Sequence, residues 1–160
     1  MHNRRFFSKC YIVLFACLLM LPCYSKDVIA AEGIQYFKGK DGVSFFYDIR
    51  SIQYLPENSI RVLIKIIPGD EESRLREITI MRKSDPTVSD KWSSETNLWE
   101  INCQNRTQKL ITFTEYDKKN KVIRSKTSNN PTFHYIMPES MMEALYIKVC
   151  SKKNLKKKRR

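Results

Sequence analysis

The sequence is poor in glycine and histidine, and both shortages exclude classes of function. Only four of its 160 residues are glycine, and none follows Gly69. This scarcity excludes the glycine-rich loops that bind phosphates in nucleotide-binding folds. The histidines are His2 and His134 alone, too few for a histidine-based metal site or active site. No serine lies in a nucleophile-elbow motif. We therefore predict a non-enzymatic protein that has no cofactor and no metal.

Residues 1–31 are predicted to be a secretory signal peptide. Basic residues precede an uncharged, mainly apolar run over residues 10–25. This run is shorter than the roughly 20 residues of a membrane-spanning helix. Cleavage is expected near Ala31 or, alternatively, at Ser25; an uncleaved anchor is the other alternative. The cysteines late in the run fit a lipidation site poorly, so a lipid anchor is not expected but stays open. We expect export to the periplasm, the outer-membrane surface or the medium.

The cysteine count becomes informative once this leader is set aside. Of the five cysteines, three lie within it, and only Cys103 and Cys150 remain in the mature chain. Two cysteines in an oxidising compartment favour one disulfide bond. The alternative is a pair of buried free thiols. The two residues lack the close spacing of a redox motif, so we do not expect redox catalysis.

The excess of positive charge lies mainly at the C-terminus. Residues 32–151 contain 18 basic and 16 acidic residues and are nearly neutral. Residues 152–160 have no acidic residue and seven basic ones: Lys152, Lys153, Lys156, Lys157, Lys158, Arg159 and Arg160. We predict a disordered basic tail that contacts polyanions, such as lipid A phosphates or sulfated glycans. The alternative is a solvated tail that only raises solubility. Nucleic acid is not an expected partner, because the chain is exported.

Most of the mature chain has the pattern of β-strands. Alternation of apolar and polar residues is strongest in the segment 59–67, and β-forming residues are frequent in several others. The predicted strands span 34–38, 43–49, 59–67, 98–105, 109–116 and 121–127. Residues 70–97 are polar and are predicted to form a long, irregular hairpin with a weak strand over 77–82. The acidic run at 70–72 is accordingly interpreted as a solvated loop and not as a metal site.

One C-terminal helix is predicted to begin near Pro138-Glu139-Ser140. Four apolar residues then recur at helical spacing, and Cys150 lies on the same side. Trp99, Ile101 and Cys103 share one face of a predicted strand. Packing the helix on that face would join Cys150 to Cys103. The predicted class is α+β, mainly β: an antiparallel sheet of about five to seven strands with one C-terminal helix packed on it and one disulfide.

Short motifs in a fixed order resemble the surface-adhesin protein E family. They extend over residues 36–150, and their order is more specific than any one of them. The motifs are Phe46-Tyr47-Asp48, Ser51-Ile52, Trp99-Glu100-Ile101-Asn102-Cys103, Glu115-Tyr116-Asp117, Ile136-Met137-Pro138-Glu139-Ser140 and Cys150. The resemblance implies a domain over residues 32–151, with an antiparallel sheet and a C-terminal helix tied to it by a disulfide.

The same resemblance implies an exported, Gram-negative binding protein. The predicted function is a surface adhesin-like domain that binds host or matrix ligands, with a host extracellular-matrix protein or an envelope component as partner. The alternative is a periplasmic or envelope accessory domain that binds a partner protein or an envelope polyanion. We also expect a homodimer, formed through an uncovered sheet face or through the edge strand at 34–38, because the basic residues of the other edge strand at 121–127 partly protect it.

Overall fold

A computed structural model describes residues 33–151, in which eight β-strands form one antiparallel sheet. Their order across the sheet is β1-β2-β4-β5-β6-β7, with β3 beside β4 and β8 beside β6. The strands are β1 (Ile34–Lys38), β2 (Ser44–Tyr47), β3 (Gln53–Tyr54), β4 (Ser59–Ile67), β5 (Ser94–Asn102), β6 (Thr107–Tyr116), β7 (Val122–Thr127) and β8 (His134–Tyr135).

The predicted fold class is confirmed. The long strands β4, β5 and β6 lie in the middle of the sheet, and β4 has the alternation that the sequence analysis identified. Strands β1 and β7 are edge strands as expected. The strand count reaches eight because β3 and β8, with two residues each, fill short stretches beside longer strands. The predicted strand over 98–105 instead spans Ser94–Asn102. Its alternation thus begins four residues earlier.

The C-terminal helix α2 (Met141–Val149) begins where the sequence analysis placed it. Ser140 is its N-cap, and the Ser140 side chain accepts a hydrogen bond from the backbone N–H of Glu143. The apolar side of α2 packs on the sheet through Leu145 and Val149, which are almost completely buried. Their partners are β4 and β5 residues such as Ile60, Val62, Ile64 and Ile101. This cluster is the main hydrophobic core.

The prediction for residues 70–97 was wrong, because this region contains a second helix, α1 (Glu71–Ser84). Asp70 is its N-cap: the Asp70 carboxylate accepts from the Ser73 backbone, and the Ser73 hydroxyl lies within bonding distance of the Asp70 N–H. This reciprocal pair is a capping box. The acidic run at 70–72 is therefore the start of a helix, where carboxylates favour the positive end of the helix dipole.

Helix α1 packs through a small second cluster. Ile78 contacts Val88 and the fully buried Trp92, both in the segment that leads to β5. The Arg74 guanidinium fastens that segment by donating to the carbonyl oxygens of Asp90 and Trp92, at 2.7 Å and 2.8 Å. Few apolar contacts and several charge-assisted bonds thus hold α1 in place.

Both helices lie on the same face of the sheet. Asp85, which follows α1, accepts a hydrogen bond from Arg124 of β7. Arg124 pairs in register with Glu115, and Glu115 pairs with Glu95, which is opposite the core-facing Ile66. Cross-strand partners point to the same side of a sheet. The opposite side has no helix among residues 33–151, and we call it the open face.

Candidate binding surface

The predicted disulfide is present. Cys103, just after β5, is bonded to Cys150, just after α2, and their Cα atoms are 5.5 Å apart. The Tyr146 hydroxyl also donates to the Cys103 carbonyl at 3.1 Å. Arg106, in the β5–β6 turn, forms an ion pair with Glu143 and stacks 5.4 Å from the Tyr146 ring centroid. These contacts fix α2 against the end of β5 and β6.

The predicted leader (1–31) and the basic tail (152–160) lie outside the described residues. Their assignments as signal peptide and as polyanion-binding segment therefore stay predictions. Within residues 33–151, no helix is long and apolar enough to cross a membrane. No group of three or more acidic, histidine or cysteine side chains in that range is placed to hold a metal ion.

The open face is built from cross-strand rows of side chains. One row joins Arg61 of β4, Glu100 of β5 and Lys109 of β6. Glu100 accepts from Arg61 at 2.8 Å and lies 3.0 Å from the Lys109 ammonium. Burial favours a raised pKa for Glu100, but the bonds from Arg61 and Lys109 outweigh it and hold the pKa below its usual value. The row is therefore ionised at neutral pH and has a net positive charge.

Two further rows of the open face contain both polar and apolar side chains. Leu63 and Leu98 are opposite each other at the centre of the face, and Thr112 continues their row. At the β7 end of these rows, hydroxyl groups of β6 and β7 form hydrogen bonds. The oxygen–oxygen distance is 3.0 Å between Thr112 and Thr127 and 2.8 Å between Thr114 and Ser125. These hydroxyls bond to one another, so cross-strand side-chain pairs stabilise β6 against β7 on this face.

Exposed aromatic side chains lie at one corner of the open face. Tyr135 of β8 is opposite Thr107 of β6, which places Phe133 and Tyr135 on the same side as Lys109. Phe133 is 43% exposed and Tyr135 is 56% exposed. The Lys109 ammonium lies 4.3 Å from the Phe133 ring centroid, which is within cation–π distance. We call Phe133 and Tyr135 the aromatic corner.

The aromatic corner was not identified in the sequence analysis. Ile136 is fully buried in the core, whereas Phe133, Tyr135 and Met137 are exposed. The alternation itself is visible in the sequence. Which of the alternating side chains face the core and which face solvent, however, depends on the pairing of β8 with β6. His134, the one histidine after the leader, faces the other side of the sheet, and its Nε2 lies 3.0 Å from the Thr132 hydroxyl.

The acidic run before α1 is engaged in structural contacts. Hydrogen bonds from Arg74 and Lys118 lower the pKa of Glu71 to about 2. The Asp70 pKa is also lowered, chiefly by its hydrogen bonds with Ser73. These carboxylates cap and brace the helix, which accounts for their clustering without a metal ion.

Comparisons with known proteins identify a matching family model and several similar solved structures. The family model described as surface-adhesin protein E matches residues 34–151. No curated protein matches the sequence at a significant level. Among solved structures, protein E from non-typeable Haemophilus influenzae is 12% identical, with 83% of this chain and 87% of that chain covered at a TM-score of 0.48. A selenomethionine form of Haemophilus influenzae protein E is 11% identical, with 79% and 90% covered at a TM-score of 0.47. By the match over its whole described domain, the chain belongs to the surface-adhesin protein E family.

Proposed function

We propose that this protein is an exported adhesin that binds a host or matrix protein through its open face. The aromatic corner beside the charged row is the observation that supports this most strongly. Aromatic side chains are enriched at protein interfaces, and large contiguous apolar patches on a monomer mark interaction sites. Family membership supports a role in adhesion.

The charge of the open face narrows the chemistry of the partner. The first row contains Arg61 and Lys109 against the single carboxylate of Glu100. Lys65 of β4 is opposite Thr96 of β5, which is opposite Thr114, so it adds a further positive charge to the same face. A partner surface with acidic side chains beside apolar ones would complement both this charge and the aromatic corner. The helix-bearing side of the sheet offers no comparable exposed aromatic pair among the described residues.

A double variant tests this proposal. Phe133→Ala with Tyr135→Ala removes the aromatic corner without touching the core, because both side chains are largely exposed. Exposed Ile147 of α2, on the other side of the sheet, provides the control Ile147→Ala. In a panel of immobilised extracellular-matrix proteins, we expect the double variant to lose at least about tenfold in affinity and the control less than about twofold. Equal binding by all three proteins would overturn the proposal.

The location of the protein separates this proposal from an envelope accessory role. An adhesin must be accessible on intact cells to added protease or antibody. A periplasmic accessory domain would be protected on intact cells and released by osmotic shock. Protection of the protein until the outer membrane is opened would therefore favour the accessory role.

We further propose that the tail (152–160) holds the protein near a polyanion. Seven basic residues in nine favour lipid A phosphates or sulfated glycans, with about 1 kcal/mol for each residue near an anionic surface. Deletion of residues 152–160 leaves Cys150 and the disulfide in place. We expect the deletion to abolish salt-sensitive retention on heparin or lipopolysaccharide. Co-elution of the truncated and full-length proteins would assign any retention to the domain.

A further inference from the structure

A cavity of about 340 Å³ opens on the helix-bearing side of the sheet, away from the open face. Its floor is formed by Trp99 of β5 and by Leu110 and Phe113 of β6. The segment between β7 and β8, including Pro131, forms one wall. Neither helix contributes to the lining. The cavity shares Trp99 with the edge of the main core, and it shares no residue with the cluster under α1.

Two irregularities of the sheet create this cavity. On the side of β6 away from β5, β7 pairs with residues 112–116 and β8 pairs only with residues 107–108, so residues 109–111 have no strand partner on that side. The chain between β7 and β8 passes this gap, and the Ser128 N–H there donates to the Ile111 carbonyl oxygen at 2.8 Å. In addition, Leu98 and Trp99 are opposite Thr112 and Leu110, which leaves Ile111 as a bulge residue. Bulges that redirect side chains are frequent at functional sites.

The lining combines an apolar floor with a polar wall that contains the basic side chain of Lys126. Trp99, Leu110 and Phe113 supply flat and aliphatic surface, whereas Lys126 and His134 lie among polar residues of the wall. No aspartate or glutamate lines the cavity. Within residues 33–151, Lys126 has no ion-pair partner. An anionic group at the mouth would supply that partner.

We propose that the cavity binds a small amphipathic carboxylate, with its aromatic or short aliphatic body on the Trp99–Phe113 floor and its carboxylate at Lys126. The volume is near the lower end of small-molecule sites, which are roughly 300–1,000 Å³, and so suits one ring with a short chain. The basic tail of the same chain does not fit this lining, because its charge has the sign of Lys126. The site is distinct from the open face and goes beyond a role in adhesion.

A series of ligands with one body and three head groups tests the proposal. Phenylbutyrate, phenylbutanol and phenylbutylamine differ only in being anionic, neutral or cationic. We expect phenylbutyrate to bind most tightly and phenylbutylamine most weakly, as measured by amide chemical shifts of the full mature protein. The shifts should concentrate around Trp99, at 110–113 and at 126–134. Raising the salt concentration should weaken phenylbutyrate more than phenylbutanol.

A pair of lysine variants assigns the head-group contact. Lys126→Gln should weaken phenylbutyrate about threefold to fivefold and leave phenylbutanol unchanged, as expected for one exposed ion pair. Lys121→Gln, in the exposed turn before β7, is the matched control and should change neither. Equal affinity for the three ligands, shifts outside the cavity, no binding at millimolar concentration or an unaffected Lys126→Gln variant would each overturn the proposal. Binding to matrix proteins through the aromatic corner would be unaffected by such a failure.

Discussion

Removal of the disulfide should cost about 3–4 kcal/mol, a large fraction of the roughly 5–15 kcal/mol by which native domains are stable. Cys103 and Cys150 are separated by 47 positions, and closing a loop of that length in the unfolded chain contributes about 4 kcal/mol by the chain-entropy relation. The folded state loses little in the variant Cys103→Ser/Cys150→Ser. Tyr146 still bonds to the carbonyl of residue 103, and the amide of residue 103 still donates to Asn58. The cost therefore arises mainly in the unfolded state.

Urea denaturation of the oxidised protein, the reduced protein and the double variant measures this cost. We expect the reduced protein and the double variant to agree, and both to lie about 3–4 kcal/mol below the oxidised protein. Each single variant should be about as unstable as the double one, because either substitution opens the loop. A difference below about 1 kcal/mol would refute the reasoning, as would two titratable thiols in the native oxidised protein.

Two further predictions concern α1 and the acidic side chains near it. Ile78→Ala should lower the free energy of unfolding by about 2–3 kcal/mol, because Ile78 is buried against Val88 and Trp92; a loss below about 1 kcal/mol in urea denaturation would contradict this. Burial raises the pKa of Glu95 in the folded protein. The folded state therefore favours the protonated carboxyl group, and the stability that this group contributes is complete below about pH 4.3 and is lost as the pH rises through its folded-state pKa. Glu95→Gln should therefore be more stable than the wild type at pH 7 and equal to it near pH 4. Calorimetry that finds the same difference in stability between the two proteins at both pH values would contradict this prediction.

The parts of the fold that were predicted from the sequence depend on local periodicity. Ile60, Val62 and Ile64 alternate on one side of β4 because that strand has one face in the core. Leu145 and Val149 recur at helical spacing because α2 buries one side. Two cysteines in the mature chain left a single pairing to consider. The first two signals each lie within one element, and the third is a residue count, so none of them requires knowledge of distant contacts.

Helix α1 was missed because its amphipathic signal is weak. Ile78 is buried, but Leu75 and Ile80 are about half exposed, so the apolar residues do not mark one face. The capping residues Asp70 and Ser73 were the better signal, since side-chain capping determines a helix start independently of hydrophobicity. Acidic residues in the first turn and basic ones in the last turn supported the same interpretation.

The candidate sites were beyond sequence reasoning because they depend on register between distant strands. The aromatic corner faces outward on the open side only because Tyr135 is opposite Thr107. The cavity depends on a gap in the pairing along β6 and on the extra residue Ile111 in its bulge. A shift of one residue in either pairing would reverse the faces of these side chains.

Because both helices lie on one side of the sheet, the residues that stabilise the fold and the residues proposed to bind a partner lie on opposite sides of it. Substitutions on the helix-bearing side, such as those at Ile64 or Leu145, create cavities in the core and cost several kcal/mol. Side chains of the aromatic corner are outside both hydrophobic clusters and can change with little effect on the folded state. A loss of binding in variants of Phe133 or Tyr135 that unfold like the wild type would therefore report on the open face itself.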